Sequence, residues 1–146
     1  MSCIPGQKLM KKSVIKREVI IGIKNTQKKK IFEKTKQWIA TSFKNSKKVI
    51  EYENKDEGII IGNTKISSDV TEGITTIKPF SYILKIRFDI KDNKMKIKIV
   101  NASGYYDRDY VHRENLMRES FKDDYIMKTS ALIEELKTYI SKKEDW

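Results

Sequence analysis

Apolar residues recur along this chain with two periods, and the switches between them predict seven elements. Val14 to Ile23 is rich in β-branched residues, and Val19, Ile21 and Ile23 share one face of a strand. Asn25 or Thr26 then offers a helix N-cap. Beyond it Ile31, Phe32, Thr35, Trp38, Ile39 and Phe43 fall on one stripe at helical spacing, opposite Lys29, Lys30, Lys34, Lys36 and Gln37. This predicts an amphipathic helix that ends near Asn45-Ser46.

Period two takes over next. Val49 to Glu53 alternates, Lys55-Asp56-Glu57-Gly58 supplies a turn, and Gly58 to Ile66 returns as a second strand. Residues 67–76, rich in Ser, Thr, Asp and Gly, read as a loop. Phe80 to Ile90 sets Tyr82, Leu84, Ile86, Phe88 and Ile90 on one face and Lys85, Arg87 and Asp89 on the other. Asp92-Asn93 turns the chain, and Met95, Ile97 and Ile99 continue the buried face against Lys94, Lys96 and Lys98. Gly104 to Arg113 reads as a Tyr- and charge-rich connector. A last helix runs from about Phe121 to Lys142, with Tyr125, Leu132, Leu136, Tyr139 and Ile140 suited to docking on the sheet.

The order β-α-β-β-β-β-α implies an α+β two-layer sandwich. Its five-stranded, mostly antiparallel sheet is covered by two helices on one face, and the other face is left open. Residues 1–12 form a flexible basic leader on this reading, and residues 13–146 a single domain, as the length suggests. The longest apolar stretches, Val19 to Ile23 and Ile59 to Ile61, fall far short of the roughly 20 residues that cross a bilayer.

Charge changes the picture more than composition does. Residues 1–50 hold 14 Lys or Arg against 2 acidic residues, a net +12, whereas the remainder is close to neutral within a total of +11. Cationic charge gathered at one end of a domain suits an anionic partner: phospholipid, nucleic acid or an acidic protein.

The run Ile31-Phe32-Glu33-Lys34-Thr35-Lys36-Gln37-Trp38-Ile39, continuing through Phe43 to Val49-Ile50-Glu51-Tyr52 and Asp56-Glu57-Gly58 to Ile59-Ile60-Ile61-Gly62, resembles a bacterial family of unknown function. That family is described as having a fold like one repeat of the TATA-box-binding protein, and its members are mostly predicted exported proteins of Bacteroidetes-type bacteria. The resemblance covers roughly residues 14–102. It implies a TBP-like fold and export, and it brings no catalytic or ligand-binding residues. Trp38, Phe32 and Phe43 read as core anchors, and Gly58 and Gly62 as a turn and a close packing point.

Candidate chemistry is sparse. His112 has no second histidine at ligand spacing, and the single cysteine is distant, so no metal or cofactor is expected. Within Tyr105 to Glu114, Asp107 and Asp109 sit two apart beside His112, a set that could serve acid–base chemistry or hold a hard cation. A solvated connector explains the same residues, and no enzyme is expected.

The open face of the central hairpin carries Lys85, Arg87, Lys96 and Lys98, candidate contacts for an anionic partner. No aromatic residue lies among these cations to stack on bases, and lysine-rich faces also serve solubility alone. Ser2-Cys3, followed by Gly6-Gln7-Lys8, looks like the acylated end of a bacterial lipoprotein, but one small residue before a cysteine is a weak motif and a free thiol in a frayed terminus fits it somewhat better. One acyl chain beside Lys8, Lys11, Lys12, Lys16 and Arg17 would make a two-signal membrane anchor.

The expected function is therefore a non-enzymatic binding or structural module of the cell envelope or periplasm, with Cys3 a candidate lipid anchor. Its expected partner is an anionic membrane surface or another envelope protein. The alternative is a nucleic-acid binder, cytoplasmic if the chain is complete as written.

Overall fold

Strict alternation along the central hairpin sets the architecture. Every second residue from Tyr82 to Ile90 is buried, as are Met95, Ile97 and Ile99 on the facing strand. One sheet face must therefore be covered by the remaining elements. The computed structural model describes residues 8–43, 49–68, 80–106, 111–113 and 117–142.

In chain order the elements are α1 (Lys12–Ile15), β1 (Glu18–Gly22), α2 (Lys28–Ser42), β2 (Ile50–Asn54), β3 (Ile59–Ser67), β4 (Phe80–Lys91), β5 (Lys94–Tyr106), β6 (Val111–Arg113), a 3₁₀ turn (Glu119–Phe121) and α3 (Lys122–Ser141). The strands form one antiparallel sheet in the order β1-β5-β4-β3-β2. These are the five strands that the pattern predicts, in an α+β two-layer sandwich. β5 is long enough to pair with β1 through Lys94–Lys98 and with β6 through Gly104–Tyr106.

α2 and α3 lie against the apolar face. Ile31, Phe32, Thr35, Trp38 and Ile39 of α2 are buried, and Phe43 follows at its C-cap with Trp38 and Phe43 rings edge to face at 5.2 Å. From α3 come Tyr125, Ile133, Leu136 and Ile140, with Leu132 and Tyr139 half-buried. Tyr82 and Tyr125 meet edge to face at 5.2 Å, and Phe80 meets Phe121 at 4.7 Å, which joins the start of β4 to the start of α3.

Three local outcomes differ from the sequence expectation. The basic leader expected to run to Lys12 is tied into the fold from Lys8 onward. Met10 N–H donates to Met117 O at 2.8 Å, Glu119 N–H donates to Lys8 O at 2.6 Å, and Met10 is buried. Val14 and Ile15 form the short turn α1 rather than the start of the strand. There the Tyr125 hydroxyl takes Ile15 O at 2.6 Å, and Arg17 Nη1 reaches Ile126 O, Thr129 Oγ1 and Ser130 Oγ on α3. Part of the expected connector, Gly104–Tyr106 and Val111–Arg113, is paired strand. The expected helix end at Asn45-Ser46 and most of the loop at 67–76 lie outside the described residues.

α2 also begins later than expected, after Gln27, without a side-chain cap of its own. Its cap comes from the β4–β5 turn instead: Asp92 Oδ1 accepts from Lys28 N–H at 2.7 Å, and Asn93 Oδ1 from Thr26 N–H at 3.0 Å. The C-terminus of α3 is finished in the same long-range way. Lys34 Nζ donates to Ile140 O at 3.1 Å and Lys142 O at 3.0 Å, placing a cation at the negative end of the helix.

Candidate binding surface on the open sheet face

The uncovered face is built by the other half of the strand alternation. Ile59, Ile61 and Asn63 of β3 and Ile83, Lys85, Arg87 and Asp89 of β4 are half-exposed between buried neighbours. Strand register sorts them into rows that cross the whole sheet. One row reads Tyr52, Ile61, Arg87, Lys98, Glu18; the next reads Asn54, Ile59, Asp89, Lys96, Ile20. Ile20 is 69% exposed and Tyr52 45% exposed, so each row has a large apolar side chain at one end.

Lys85, Arg87, Lys96 and Lys98 all lie on this face on adjacent strands, as the sequence pattern implies. What the pattern does not show is that three of them are already matched. Lys85 Nζ lies 3.1 Å from Glu51 Oε2, and Lys96 Nζ lies 3.4 Å from Glu18 Oε1. Arg87 forks onto Asp89 in its own strand, with Nε 3.1 Å from Oδ2 and Nη2 3.1 Å from Oδ1. The hydrogen bond and charge of Asp89 push the Arg87 pKa up. These exposed pairs contribute little to stability, yet they neutralise the field at the surface.

Tyr52 is the residue that sequence reasoning missed. A register shift between Ile50 and Tyr52 admits Glu51 as an extra residue, which turns Glu51 toward Lys85 and sets Tyr52 opposite Ile61. The Val49 to Glu53 alternation gave no signal of this, because Tyr52 shares the apolar phase of Ile50 and only the register shift separates the two. An aromatic ring therefore does stand in the row of Arg87 and Lys98, although the aromatic between them in sequence, Phe88, is buried in the core.

The other candidates separate from this surface. Cys3, Asp107 and Asp109 lie outside the described residues. His112 belongs to β6, where its backbone pairs with Tyr105. Among the described residues no group of three metal-ligating side chains comes together.

Asp124, which lies in the first turn of α3 where an acidic residue is usually a solvated charge, is only 9% exposed. It accepts from the Tyr82 hydroxyl at 2.6 Å and from Ser68 Oγ at 2.7 Å. Burial, then the Asp124 contact, drives the Tyr82 pKa far above its ordinary value. This network fastens α3 to β4. An open groove of about 470 Å³ between α2 and α3 is lined by Trp38, Ser42, Glu135 and Tyr139, with Glu135 Oε1 accepting from Trp38 Nε1 and Ser42 Oγ, each at 3.3 Å.

Comparison with known proteins bears on the fold. The sequence profile of a family described as a domain of unknown function (DUF4468) with TBP-like fold matches residues 18–104. The crystal structure of a TBP-like protein from Parabacteroides distasonis superposes with a TM-score of 0.69 at 17% identity, covering 94% of this chain and 99% of that one. That of a DUF4468 family protein from Bacteroides ovatus gives 0.59 at 11% identity, covering 94% and 90%. No curated protein matches the sequence.

Proposed function

The chain belongs to the DUF4468 family with its TBP-like fold, and from that premise we propose that it is a non-enzymatic binding module of the cell envelope whose open sheet face docks a protein partner. The observation that carries this reading is the pair of mixed rows across the sheet, in which Tyr52, Ile61, Ile59 and Ile20 stand beside carboxylate-matched cations. Protein interfaces favour such a surface, with aromatic and aliphatic contacts ringed by charges that can re-pair across the contact. A nucleic-acid backbone rewards unmatched cations. On this face Lys85, Arg87 and Lys96 would first have to leave Glu51, Asp89 and Glu18. Envelope placement is supported by the Ser2-Cys3 end and the basic segment that follows it.

Two measurements test the reading. The first is the intact mass of the protein from its native host, with its distribution between membrane and soluble fractions. A chain that begins at an acylated Cys3 supports the envelope; an unmodified chain in the soluble cytoplasm overturns it. The second introduces a photo-crosslinking residue at Tyr52 and, separately, at Lys137 on the exposed side of α3. Protein adducts are expected from Tyr52 and not from Lys137, and equal or absent labelling at both rejects the surface. Duplex DNA provides the counter-test. Tight binding that falls steeply with salt and vanishes when Lys85, Arg87, Lys96 and Lys98 are all changed to Glu would replace this reading with the nucleic-acid one.

A further inference from the structure

The segment Lys8–Lys16 forms a second charged surface, built differently from the sheet face. Its backbone is docked beside the start of α3, through the Leu9–Arg118 bridge and the Met10 N–H to Met117 O and Glu119 N–H to Lys8 O hydrogen bonds. Met10 points inward at 5% exposure, and Val14 and Ile15 pack against the core. Anchoring those three leaves Lys11, Lys12 and Lys16 on the outside, with Lys12 and Lys16 one helical turn apart. The Lys8 side chain is 73% exposed, and Leu9 stands 50% exposed between these charges.

The charges here are free in a way that those of the sheet face are not. Lys8 has one distant carboxylate, Glu119 at 3.8 Å, and Lys11, Lys12 and Lys16 form no ion pair among the described residues. Four cations and one exposed aliphatic side chain are thus carried on a docked backbone. Because the backbone is already ordered, contact with an anionic surface costs little further conformational entropy.

We propose that this docked ridge is a membrane-contact surface: Lys8, Lys11, Lys12 and Lys16 take anionic phospholipid headgroups while Leu9 enters the headgroup layer. A lipid surface fits better than a nucleic acid for two reasons. An exposed leucine amid lysines suits the boundary between headgroups and acyl chains. No aromatic side chain lies between Lys8 and Arg17 to stack on a base. The ridge is distinct from the partner surface on the sheet and rests on the envelope reading only for access to a membrane. If Cys3 is acylated, the four residues between it and Lys8 keep the ridge within roughly 20 Å of the bilayer.

The test is co-sedimentation of the unacylated protein with vesicles of phosphatidylglycerol mixed with phosphatidylcholine, and with phosphatidylcholine alone, at two salt concentrations. Binding is expected only to the anionic vesicles and to weaken with salt. K11E/K12E/K16E should lower the affinity by about tenfold or more, since each near-surface charge is worth several-fold. The matched triple reversal K85E/K96E/K98E should leave most of the affinity intact. All six positions are at the surface, so unchanged circular dichroism and Tm confirm that both variants fold.

Equal binding to both vesicle types overturns the proposal. So does an equal loss in both triple variants, which would reduce the effect to net charge. Leu9→Ser should weaken binding without changing its salt dependence, and an unchanged affinity would remove Leu9 from the contact. Duplex DNA that strips the protein from vesicles, through the same three lysines, would reassign the ridge to nucleic acid. A cytoplasmic, unmodified chain in the native host would sink the envelope reading without altering the vesicle result, so the two failures are distinguishable.

Discussion

Gly58 has φ +71°, and a Cβ built there would lie 2.3 Å from Ile90 O and 2.8 Å from Lys28 Cε. Gly58→Ala should therefore destabilise the fold by about 1–3 kcal/mol or more, from the left-handed backbone and the clash together. At Gly62 the nearest atom to an added Cβ is Val49 O at 3.1 Å and φ is ordinary, so Gly62→Ala should cost less; urea unfolding of the pair checks the order. Tyr82 supplies a test in pH. Its phenol and that of Tyr125 are both pushed up, chiefly by burial. A raised folded-state pKa gives stability that is complete below the unfolded value near 10 and is lost as pH rises above it. Stability should thus fall above about pH 10, by about 1.4 kcal/mol per pH unit for each of the two phenols. Tyr82→Phe should remove one share of that slope and cost about 1–3 kcal/mol at neutral pH, because Asp124 loses a donor while remaining buried. The glycines were legible from the turn and strand around them, but Asp124 was not. An Asp-Asp pair at a helix start reads as surface charge until the fold sets Tyr82 and Ser68 against one member of it.

Elements here borrow their ends from one another. α2 has no cap of its own, and Asp92 in the β4–β5 turn takes the Lys28 N–H. Asp92→Ala should lower stability by about 1 kcal/mol, whereas Asp92→Asn should retain most of it. Thermal unfolding of the two variants separates a lost acceptor from a lost charge. Element type and order were readable because the period-two hairpin and the Ile31 to Phe43 stripe are long and regular. Element ends were not, since a cap supplied from 64 residues away leaves no mark beside the helix it finishes. The same reason turned Val14 and Ile15 from expected strand into α1: their β-branched chemistry was outweighed by contacts with α3, where Tyr125 donates its hydroxyl to Ile15 O and Ile126 O accepts from Arg17.

Across the whole molecule the excess charge of +11 opposes compaction. Raising ionic strength from ~0.01 M to ~0.15 M shortens the screening length from about 30 Å to about 8 Å, so Tm should rise over that range in a differential scanning experiment. A Tm that falls instead would mean that the surface ion pairs outweigh the repulsion. By itself the sequence determined the layers, the strands β1 to β5 and which sheet face is open, because one-dimensional periodicity maps directly onto the faces of helices and strands, whereas β6 carries no such pattern. It also placed Lys85, Arg87, Lys96 and Lys98 together on that face. The tertiary structure decided what those charges meet. Glu51, Asp89 and Glu18 reach them through register and a single extra residue in β2, and the Lys8–Lys16 segment becomes a fixed ridge because α3 returns to hold it. Pairing across distant strands depends on register, and register is fixed only when the whole sheet packs.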